Sequence, residues 1–315
     1  MSWKPQATKQ GLQARAYMNA SIRNFFHQRK VLEVETPLLN SHTVTDLHID
    51  CIATMDNNFL HISPEYAMKR LLAFHGCDIY QLCKVFRDDE IGRYHHNEFT
   101  MLEWYRVSWS YKELMQEVAD LIFALFADEN VINKSVSKEV AFIRYQEVFE
   151  KYLGIDVCEA KQADYLRVFS DHSIHLNSAL NIQQCQELVL DQVIVPKLEK
   201  QQLTFVYDYP AEQAALAKIN AQGDAQRFEL YFGGYELANG FQELTDAQEQ
   251  LARFEEDNRL RLLANKNVIE IDTEFIAALE AGLPESAGVA LGVDRLLMIM
   301  LGAEHISDVL SFPFD

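Results

Sequence analysis

Hydrophobic residues recur at roughly helical spacing in several stretches of the chain, a pattern typical of amphipathic helices. Near the start, this spacing predicts a helix over 12–29, with Thr8 as its candidate N-cap. The apolar residues that carry this prediction are Leu12, Ala16, Ile22 and Phe26. The same pattern predicts helices over 111–126, 140–153, 183–198, 246–265 and 296–301.

Strands are predicted where apolar residues run continuously or alternate with polar ones. Two such segments, 85–90 and 98–105, flank the polar loop 91–97, so we expect an antiparallel hairpin. Further strands are expected at 31–34, 203–207, 226–232 and 235–238. Because helical patterns dominate between these groups of strands, we predict one α+β domain over 1–315. Its antiparallel β-sheet would be flanked by helices, with a helical insert at roughly 110–200.

The composition is that of an ordinary soluble globular protein, with 49% hydrophobic and 24% charged residues. No apolar run approaches the length of a membrane span, and the N-terminus lacks an apolar signal region. We therefore predict a cytoplasmic protein without membrane association. The five cysteines are scattered and show no Cys-x-x-Cys spacing, which favours reduced, structural thiols over catalytic ones.

The net charge of −19 argues against a stable complex with nucleic acid, since such binding relies on many basic contacts to phosphate. The charge is uneven, because no acidic residue precedes Glu33. The basic residues of this segment are Lys4, Lys9, Arg15, Arg23, Arg29 and Lys30. They are either a docking face for an acidic protein partner or a solvated helix face, and we favour the second interpretation.

The segment 287–296 places an arginine just beyond a small-residue turn that opens an apolar helix. Gly288, Ala290 and Gly292 would let a strand approach a ligand closely, and Arg295 would then stack on a base or clamp a phosphate. Glycine-rich joins between strands and helices are also common packing devices. This segment alone therefore leaves both interpretations open.

The predicted hairpin carries a second candidate for phosphate binding. Its first strand, 85–90, ends in Arg87 and a run of acids, and its loop contains His95 and His96. The loop is therefore a candidate flap over phosphates rather than a simple connection.

Together with Thr36 and Pro37, these segments stand in the order of three signature motifs and resemble class II aminoacyl-tRNA synthetases. The match is sharpest with the catalytic domain of lysyl-tRNA synthetase and covers roughly residues 10–312. It rests on Thr36-Pro37-Leu38, Ser63-Pro64-Glu65, Glu98-Phe99-Thr100-Met101-Leu102-Glu103 and Glu236-Leu237-Ala238-Asn239-Gly240-Phe241-Gln242-Glu243-Leu244. The resemblance implies the class II catalytic fold. It also implies a homodimer whose interface is built by the first helix, the next strand and Pro37.

The resemblance further implies an ATP site. Arg87 would contact the α-phosphate, His95 would reach toward the distal phosphates, and Phe99 and Arg295 would enclose the adenine. Arg87 and Arg295 are thus the implied catalytic residues, because they neutralise charge during attack on the α-phosphate. The other implied ATP-binding residues are Asp88, Asp89, His96, Glu236, Leu237 and Gly292.

Two acids match the residues that hold Mg²⁺ between the phosphates in this family. They are Glu229 and Glu236, and carboxylate oxygens suit a hard cation. The chain also departs from the family pattern: Asp89 replaces the usual glutamate, and Asn97 replaces the proline of the loop.

A substrate with two ammonium groups needs acids at both ends of its pocket, because each buried ammonium must find a partner. The resemblance places Glu65 near the amine closer to the carboxylate, and Glu103, Tyr105 and Glu243 at the distal ammonium. The remaining implied pocket residues are Ser63, Pro64, Asn239, Phe241 and Ala290. Two distal acids suit an ammonium better than a carboxylate, which disfavours an activity like that of asparagine synthetase.

A bacterial lysyl-tRNA synthetase carries an anticodon-binding barrel before its catalytic domain, whereas here the helix and strand signature begins too early for an anticodon-binding domain. This pattern resembles the truncated lysyl-tRNA synthetase paralogues that attach (R)-β-lysine to a lysine of translation elongation factor P. Ala290 agrees, because it replaces the middle glycine of the Gly-x-Gly-x-Gly-x-Asp-Arg motif and one methyl can shift substrate preference.

The resemblance implies an ATP-dependent ligase that activates (R)-β-lysine or lysine and modifies elongation factor P. One alternative is a lysyl-tRNA synthetase fragment that acylates tRNA. The other is a non-catalytic regulator that retains the fold.

Overall fold

The computed structural model describes residues 3–47, 49–88, 91–127, 135–176 and 180–314. The chain forms two compact units. The first unit is drawn from Met1–Ser135 and Gln242–Asp315, and the second from Val136–Phe241. Within the described ranges, no helix has both the length and the apolar character that crossing a bilayer requires.

The helices and strands are numbered separately in chain order. The helices are α1 (Lys9–Gln28), α2 (Glu65–His75), α3 (Tyr111–Leu125), α4 (Tyr145–Leu153), α5 (Gln162–Asp171), α6 (Ile182–Val189), α7 (Ala247–Leu263), α8 (Thr273–Gly282) and α9 (Val293–Leu301). The strands are β1 (Leu32–Glu33), β2 (Leu39–Asn40), β3 (Phe59–Leu60), β4 (Ile79–Phe86), β5 (Glu98–Val107), β6 (Val140–Arg144), β7 (Leu203–Pro210), β8 (Asp224–Phe232), β9 (Tyr235–Gln242) and β10 (Ser286–Gly292).

Helix α1 confirms the first predicted helix and begins at Lys9 because Thr8 caps it. The Thr8 side-chain oxygen accepts a hydrogen bond from the Gly11 N–H at 3.1 Å. Leu12 and Ala16, on which the prediction partly rested, lie on the exposed face. The residues buried against the rest of the unit are Gly11, Ala14, Met18, Ile22, Phe25 and Phe26.

Four strands of the first unit lie side by side in the order β1, β4, β5, β10. The β4–β5 pair is the predicted antiparallel hairpin. On the other side of β5, strand β10 places Gly288 opposite Tyr105 and Ala290 opposite Glu103. Directly opposed residues project from the same face of a sheet, so these four residues share one face.

Helix α9 follows β10 directly, with Gly292 as its N-cap. The buried Asp294 binds Arg15 of α1 and accepts a hydrogen bond from the Thr100 backbone N–H on β5. One carboxylate therefore fixes the start of α9, from which Arg295 projects.

In the second unit the strand order is β9, β8, β7, β6, with β6 and β7 parallel and the other neighbours antiparallel. Helices α4 to α6 surround one apolar core in this unit. Its buried aromatic members are Tyr145, Phe149, Tyr165, Phe169, Tyr209 and Tyr231.

The predicted helix over 140–153 is wrong in its first five residues, which form strand β6. They pair in parallel with β7, with Val140 opposite Leu203, so tertiary pairing overrides the helical pattern. The predicted helix over 183–198 is also too regular. Helix α6 ends at Val189 and continues as a π-helical turn and a 3₁₀ turn that contains Pro196.

Three arginines of the basic N-terminal segment pair with acids of the first unit. Arg23 Nε lies 3.0 Å from Glu33 Oε1, and Arg29 Nε lies 3.6 Å from Glu117 Oε1. Arg15 binds the aspartate of α9 described above. These contacts give three of the six basic residues of the segment an acidic partner within the first unit.

Candidate active site

Three glutamates from different elements meet inside the first unit. Glu65 opens α2, Glu103 lies in β5, and Glu243 directly follows β9. Glu103 and Glu243 are only 2% and 1% exposed. Glu65, Glu103 and Glu243, together with Lys69 of α2, form what we call the carboxylate cluster.

Glu103 is held by two hydroxyl groups. Its Oε2 accepts a hydrogen bond from Ser63 Oγ at 2.7 Å, and its Oε1 accepts one from the Tyr105 hydroxyl at 2.6 Å. Burial raises the pKa of Glu103 to about 8, and the charge of Glu65 acts in the same direction. Ser63 also accepts a hydrogen bond from the Glu65 backbone N–H at 3.0 Å, which ties the start of α2 to β5.

Lys69 bridges the other two glutamates. Its Nζ lies 2.6 Å from Glu65 Oε1 and 2.6 Å from Glu243 Oε2. Burial alone would lower the pKa of Lys69, but the charges of Glu243 and Glu65 reverse this and raise it. Lys69 is therefore a fixed positive charge within the cluster.

Gly288 packs directly against the carboxylate of Glu243. Its backbone N–H donates a hydrogen bond to that carboxylate. A Cβ at this position would lie 2.3 Å from Glu243 Oε1 and 2.4 Å from Tyr105 Cε1, so no larger residue fits without displacing one of them. Burial raises the pKa of Glu243 to about 7, against the lowering effect of Lys69.

A cleft of the first unit reaches Ser63, Pro64 and Glu65 at the start of α2. The other residues that line it include Asn40, His42, Thr43, Arg70, Asp272 and Glu274. This cleft gives a small polar molecule a path to Glu65.

The predicted adenine-binding and phosphate-binding side chains of the first unit lie around the β4–β5 loop. The Arg87 guanidinium carbon lies 5.2 Å from the centre of the Phe99 ring. Arg295 Nε donates a hydrogen bond to the Tyr94 carbonyl at 3.2 Å, and its guanidinium contacts His95. Arg295 is thus joined to the loop in which the sequence predicts a phosphate-binding flap.

The other predicted nucleotide-binding side chains of the first unit are those of His96, Asp88 and Asp89. The His96 ring packs on Phe314 at 4.5 Å between ring centres and accepts a hydrogen bond from the Glu98 N–H. The Asp88 backbone N–H donates to the Asp50 carbonyl at 2.9 Å. Asp89, whose departure from the family pattern was noted above, lies outside the described residues.

In the second unit, Glu229 accepts hydrogen bonds from the hydroxyls of Tyr209, at 2.7 Å, and Tyr231, and it pairs with Arg227. Glu236 lies opposite Tyr231 across the β8–β9 pair, which puts Glu236 and Glu229 on one face. Glu236 is exposed.

Within the described part of the chain, no group of three or more His, Cys, Asp or Glu side chains is arranged to hold a metal. Mg²⁺ is usually held by one or two carboxylates together with substrate phosphates. Both oxygens of Glu229 are already engaged by Arg227, Tyr209 and Tyr231, so the exposed Glu236 is the more accessible carboxylate of the predicted pair.

The other predicted pocket residues of the second unit lie on β9. Asn239 is opposite Glu229, and its Oδ1 is buried without a hydrogen-bond partner. Phe241 is half-buried and Leu237 is buried. A buried acceptor without a partner is costly, so Asn239 is suited to meet a donor from a ligand.

A model of one protein family, described as tRNA synthetases class II (D, K and N), matches residues 1–315. The chain belongs to this class II synthetase family. The resemblance inferred from the sequence motifs is thereby confirmed, and with it the α+β fold class.

Three relatives of this class II synthetase carry the name elongation factor P--(R)-beta-lysine ligase. The protein from Proteus mirabilis (strain HI4320) is 44% identical over 99% of this chain and 97% of its own length. That from Histophilus somni (strain 2336) is 45% identical, with 99% and 98% covered. That from Haemophilus ducreyi (strain 35000HP / ATCC 700724) is 42% identical, with 100% and 97% covered.

Sequence reasoning missed two residues of this class II synthetase site. Lys69 stands four residues after Glu65, a spacing that puts both side chains on one helix face, but α2 itself was not predicted. Asp294 was quoted only as part of a motif, and its contacts with α1 and β5 require the folded structure.

Proposed function

We propose that this protein activates (R)-β-lysine, or lysine, with ATP and transfers it to a lysine side chain of translation elongation factor P. The observation that carries the proposal is the carboxylate cluster, in which three acids gather beside a cleft that reaches Glu65, an arrangement suited to a substrate with two ammonium groups. The names of the relatives support the same acceptor and the same amino acid.

The first step joins the amino acid to AMP. A carboxylate oxygen of the amino acid attacks the α-phosphorus of ATP, pyrophosphate leaves, and an aminoacyl-adenylate forms. Arg87 and Arg295 neutralise charge on the phosphates, and Phe99 and Arg295 enclose the adenine. The other nucleotide contacts are assigned to Asp88, Asp89, His95, His96, Glu236, Leu237 and Gly292.

The amino acid is oriented by its two ammonium groups. Glu65, reached through the cleft, binds the amine closer to the carboxylate, and Glu103 and Glu243 bind the distal one. Tyr105 holds Glu103 in place through its hydroxyl. The further contacts are assigned to Ser63, Pro64, Asn239, Phe241 and Ala290.

The second step transfers the aminoacyl group to the acceptor. The neutral amine of the acceptor lysine attacks the carbonyl carbon of the adenylate, AMP leaves, and an amide forms with loss of one proton from nitrogen. In the first step, Glu229 and Glu236 would hold Mg²⁺, which supplies positive charge to the ATP phosphates when bound.

We also propose a homodimer formed through α1, β1 and the segment up to Pro37. Leu32, within this segment, is 57% exposed in the single chain, and Leu38 and Leu39, directly after Pro37, are 41% and 50% exposed. Apolar side chains exposed close together are candidates for burial in an interface. Analytical ultracentrifugation tests this proposal, and a species of 36.3 kDa at all concentrations contradicts it.

The function is tested by incubating the protein with ATP, Mg²⁺ and either lysine isomer, together with elongation factor P or with tRNA. We expect the mass of the factor to increase by one lysine residue, with a larger modified fraction when (R)-β-lysine is supplied. We expect the tRNA to remain uncharged on acid gels. Charged tRNA would support the synthetase fragment instead. If neither product forms, the result would support the non-catalytic regulator.

A further inference from the structure

Lys69 contacts two of the three acids assigned to the amino-acid substrate, yet the proposed reaction gives it no task. It is 1% exposed, and its ammonium lies 2.6 Å from an oxygen of Glu65 and 2.6 Å from an oxygen of Glu243. Burying the lysine ammonium carries a desolvation free energy that a neutral side chain would avoid. The position therefore calls for a functional reason.

We propose that Lys69 is a positioning residue that sets the charge of the pocket to match a substrate with two ammonium groups. The inference rests on the proposed function, because it takes the carboxylate cluster as the amino-acid pocket. Three ionised carboxylates and one ammonium leave two negative charges, which a diammonium substrate neutralises. A pocket without Lys69 would carry three.

The geometry supports this role. Lys69 is fixed by its place on α2, one helical turn after Glu65, and engages one oxygen of each glutamate. Glu65 also lines the cleft, and Glu243 is also held by the Gly288 N–H. Lys69 thus holds both acids in orientation through one oxygen of each carboxylate.

The protonation of the cluster provides independent support. The charged and titratable groups that face Glu103 are Glu65, Lys69, Tyr105 and Cys83, and those that face Glu243 are Lys69, Glu65 and Tyr105. Burial raises the pKa of Glu103 to about 8 and that of Glu243 to about 7. Near neutral pH the empty pocket therefore retains a proton, which a diammonium substrate should displace.

The first test uses substrate-free protein, so it is independent of the proposed function. Infrared difference spectra follow the C=O band of protonated carboxyls against pH in the wild type, Lys69→Gln, Lys69→Arg and Lys151→Met. In Lys69→Gln, which removes the positive charge, the band should disappear at a pH about one unit or more higher than in the wild type. Lys69→Arg, which keeps the charge, and the exposed control Lys151→Met should follow the wild type.

The second test measures substrate use by pyrophosphate exchange with (R)-β-lysine. In Lys69→Gln, kcat/KM should fall roughly 100-fold, mainly through KM, with an altered pH profile and partial recovery in Lys69→Arg. Calorimetry of wild-type binding in buffers of different ionisation enthalpy should show release of about one proton near pH 7, a measurement that needs no variant.

Each outcome decides between the two proposals. An unshifted carboxyl band in Lys69→Gln, a loss confined to kcat with an unchanged pH profile, or binding without proton release would overturn the role of Lys69. A wild-type protein that exchanges pyrophosphate with neither lysine isomer would refute the proposed function. The infrared titration would still test the effect of Lys69 on the protonation of the carboxylates.

Discussion

Replacing Gly288 with alanine tests the geometry of the amino-acid pocket with a single methyl group. The new Cβ would lie 2.3 Å from Glu243 Oε1, and 2.4 and 2.5 Å from two carbons of the Tyr105 ring. Ordinary contacts of a Cβ begin near 3.4 Å. Either a pocket side chain or the strand must therefore move by about 1 Å.

Neither neighbour can move without loss. Glu243 is held by the Lys69 ammonium and by the Gly288 N–H, and Tyr105 is 2% exposed and bonded to Glu103. Strand β10 is itself paired along its whole length with β5. The displacement therefore falls on groups that we assign to the substrate.

The expected magnitude follows from that displacement. A misplacement of about 1 Å near reacting groups costs on the order of 100-fold in rate, and overpacking a buried site costs about 1–3 kcal/mol of stability. We expect Gly288→Ala to fold with a lowered melting temperature and to lose roughly 100-fold in kcat/KM for (R)-β-lysine.

The assay is pyrophosphate exchange with (R)-β-lysine, with thermal unfolding measured on the same samples. Gly11→Ala is the matched control, because its Cβ would meet its nearest atom at 3.5 Å, an ordinary contact, within helix α1. It should keep its activity, with a melting temperature equal to or above that of the wild type, because alanine favours a helix more than glycine does. A Gly288→Ala protein with wild-type kcat/KM would refute the placement of Glu243 and Tyr105 in the pocket.

Three further predictions concern the same pocket. Glu243→Gln should reduce kcat/KM for lysine-type substrates by roughly 100-fold, because the distal ammonium loses a charged partner; near-normal pyrophosphate exchange would contradict the assignment. The kcat/KM of the wild type should rise between about pH 6 and about pH 8, since Glu103 and Glu243, whose pKa values are raised to about 8 and about 7, must lose protons to attract an ammonium; a flat or falling profile argues against their role. Ala290→Gly should shift preference toward α-lysine, and an unchanged ratio of exchange rates for the two isomers would place the selectivity elsewhere.

The sequence predicted the elements whose patterns are local. Helix α1 and the β4–β5 hairpin were predicted because their apolar periodicity and their loop are each contained in a short segment. Strand β6 was missed because its partner, β7, lies about 60 residues later in the chain and because β6 runs directly into the helical pattern of α4. Helices α2, α5 and α8 were missed as well, so the position of Lys69 on α2 could not be used.

The candidate site shows the same division. Motif resemblance named Glu65, Glu103 and Glu243, but their meeting point depends on the register of β5 with β10 and on the Lys69 bridge. Protonation states depend on burial and on charges from distant segments, which no local pattern encodes. The raised pKa values of Glu103 and Glu243 are therefore properties of the folded unit.

The two small residues of strand β10 differ in what they permit. Gly288 has no space for a methyl group, because Glu243 and Tyr105 occupy it. Ala290, on the same face and two residues further along, already carries a methyl group opposite Glu103. A methyl group is thus accommodated at residue 290, opposite Glu103, whereas at residue 288 it would collide with Glu243. A substitution intended to change the amino-acid preference should therefore be made at residue 290, where it leaves the bridge between Glu243 and Lys69 intact.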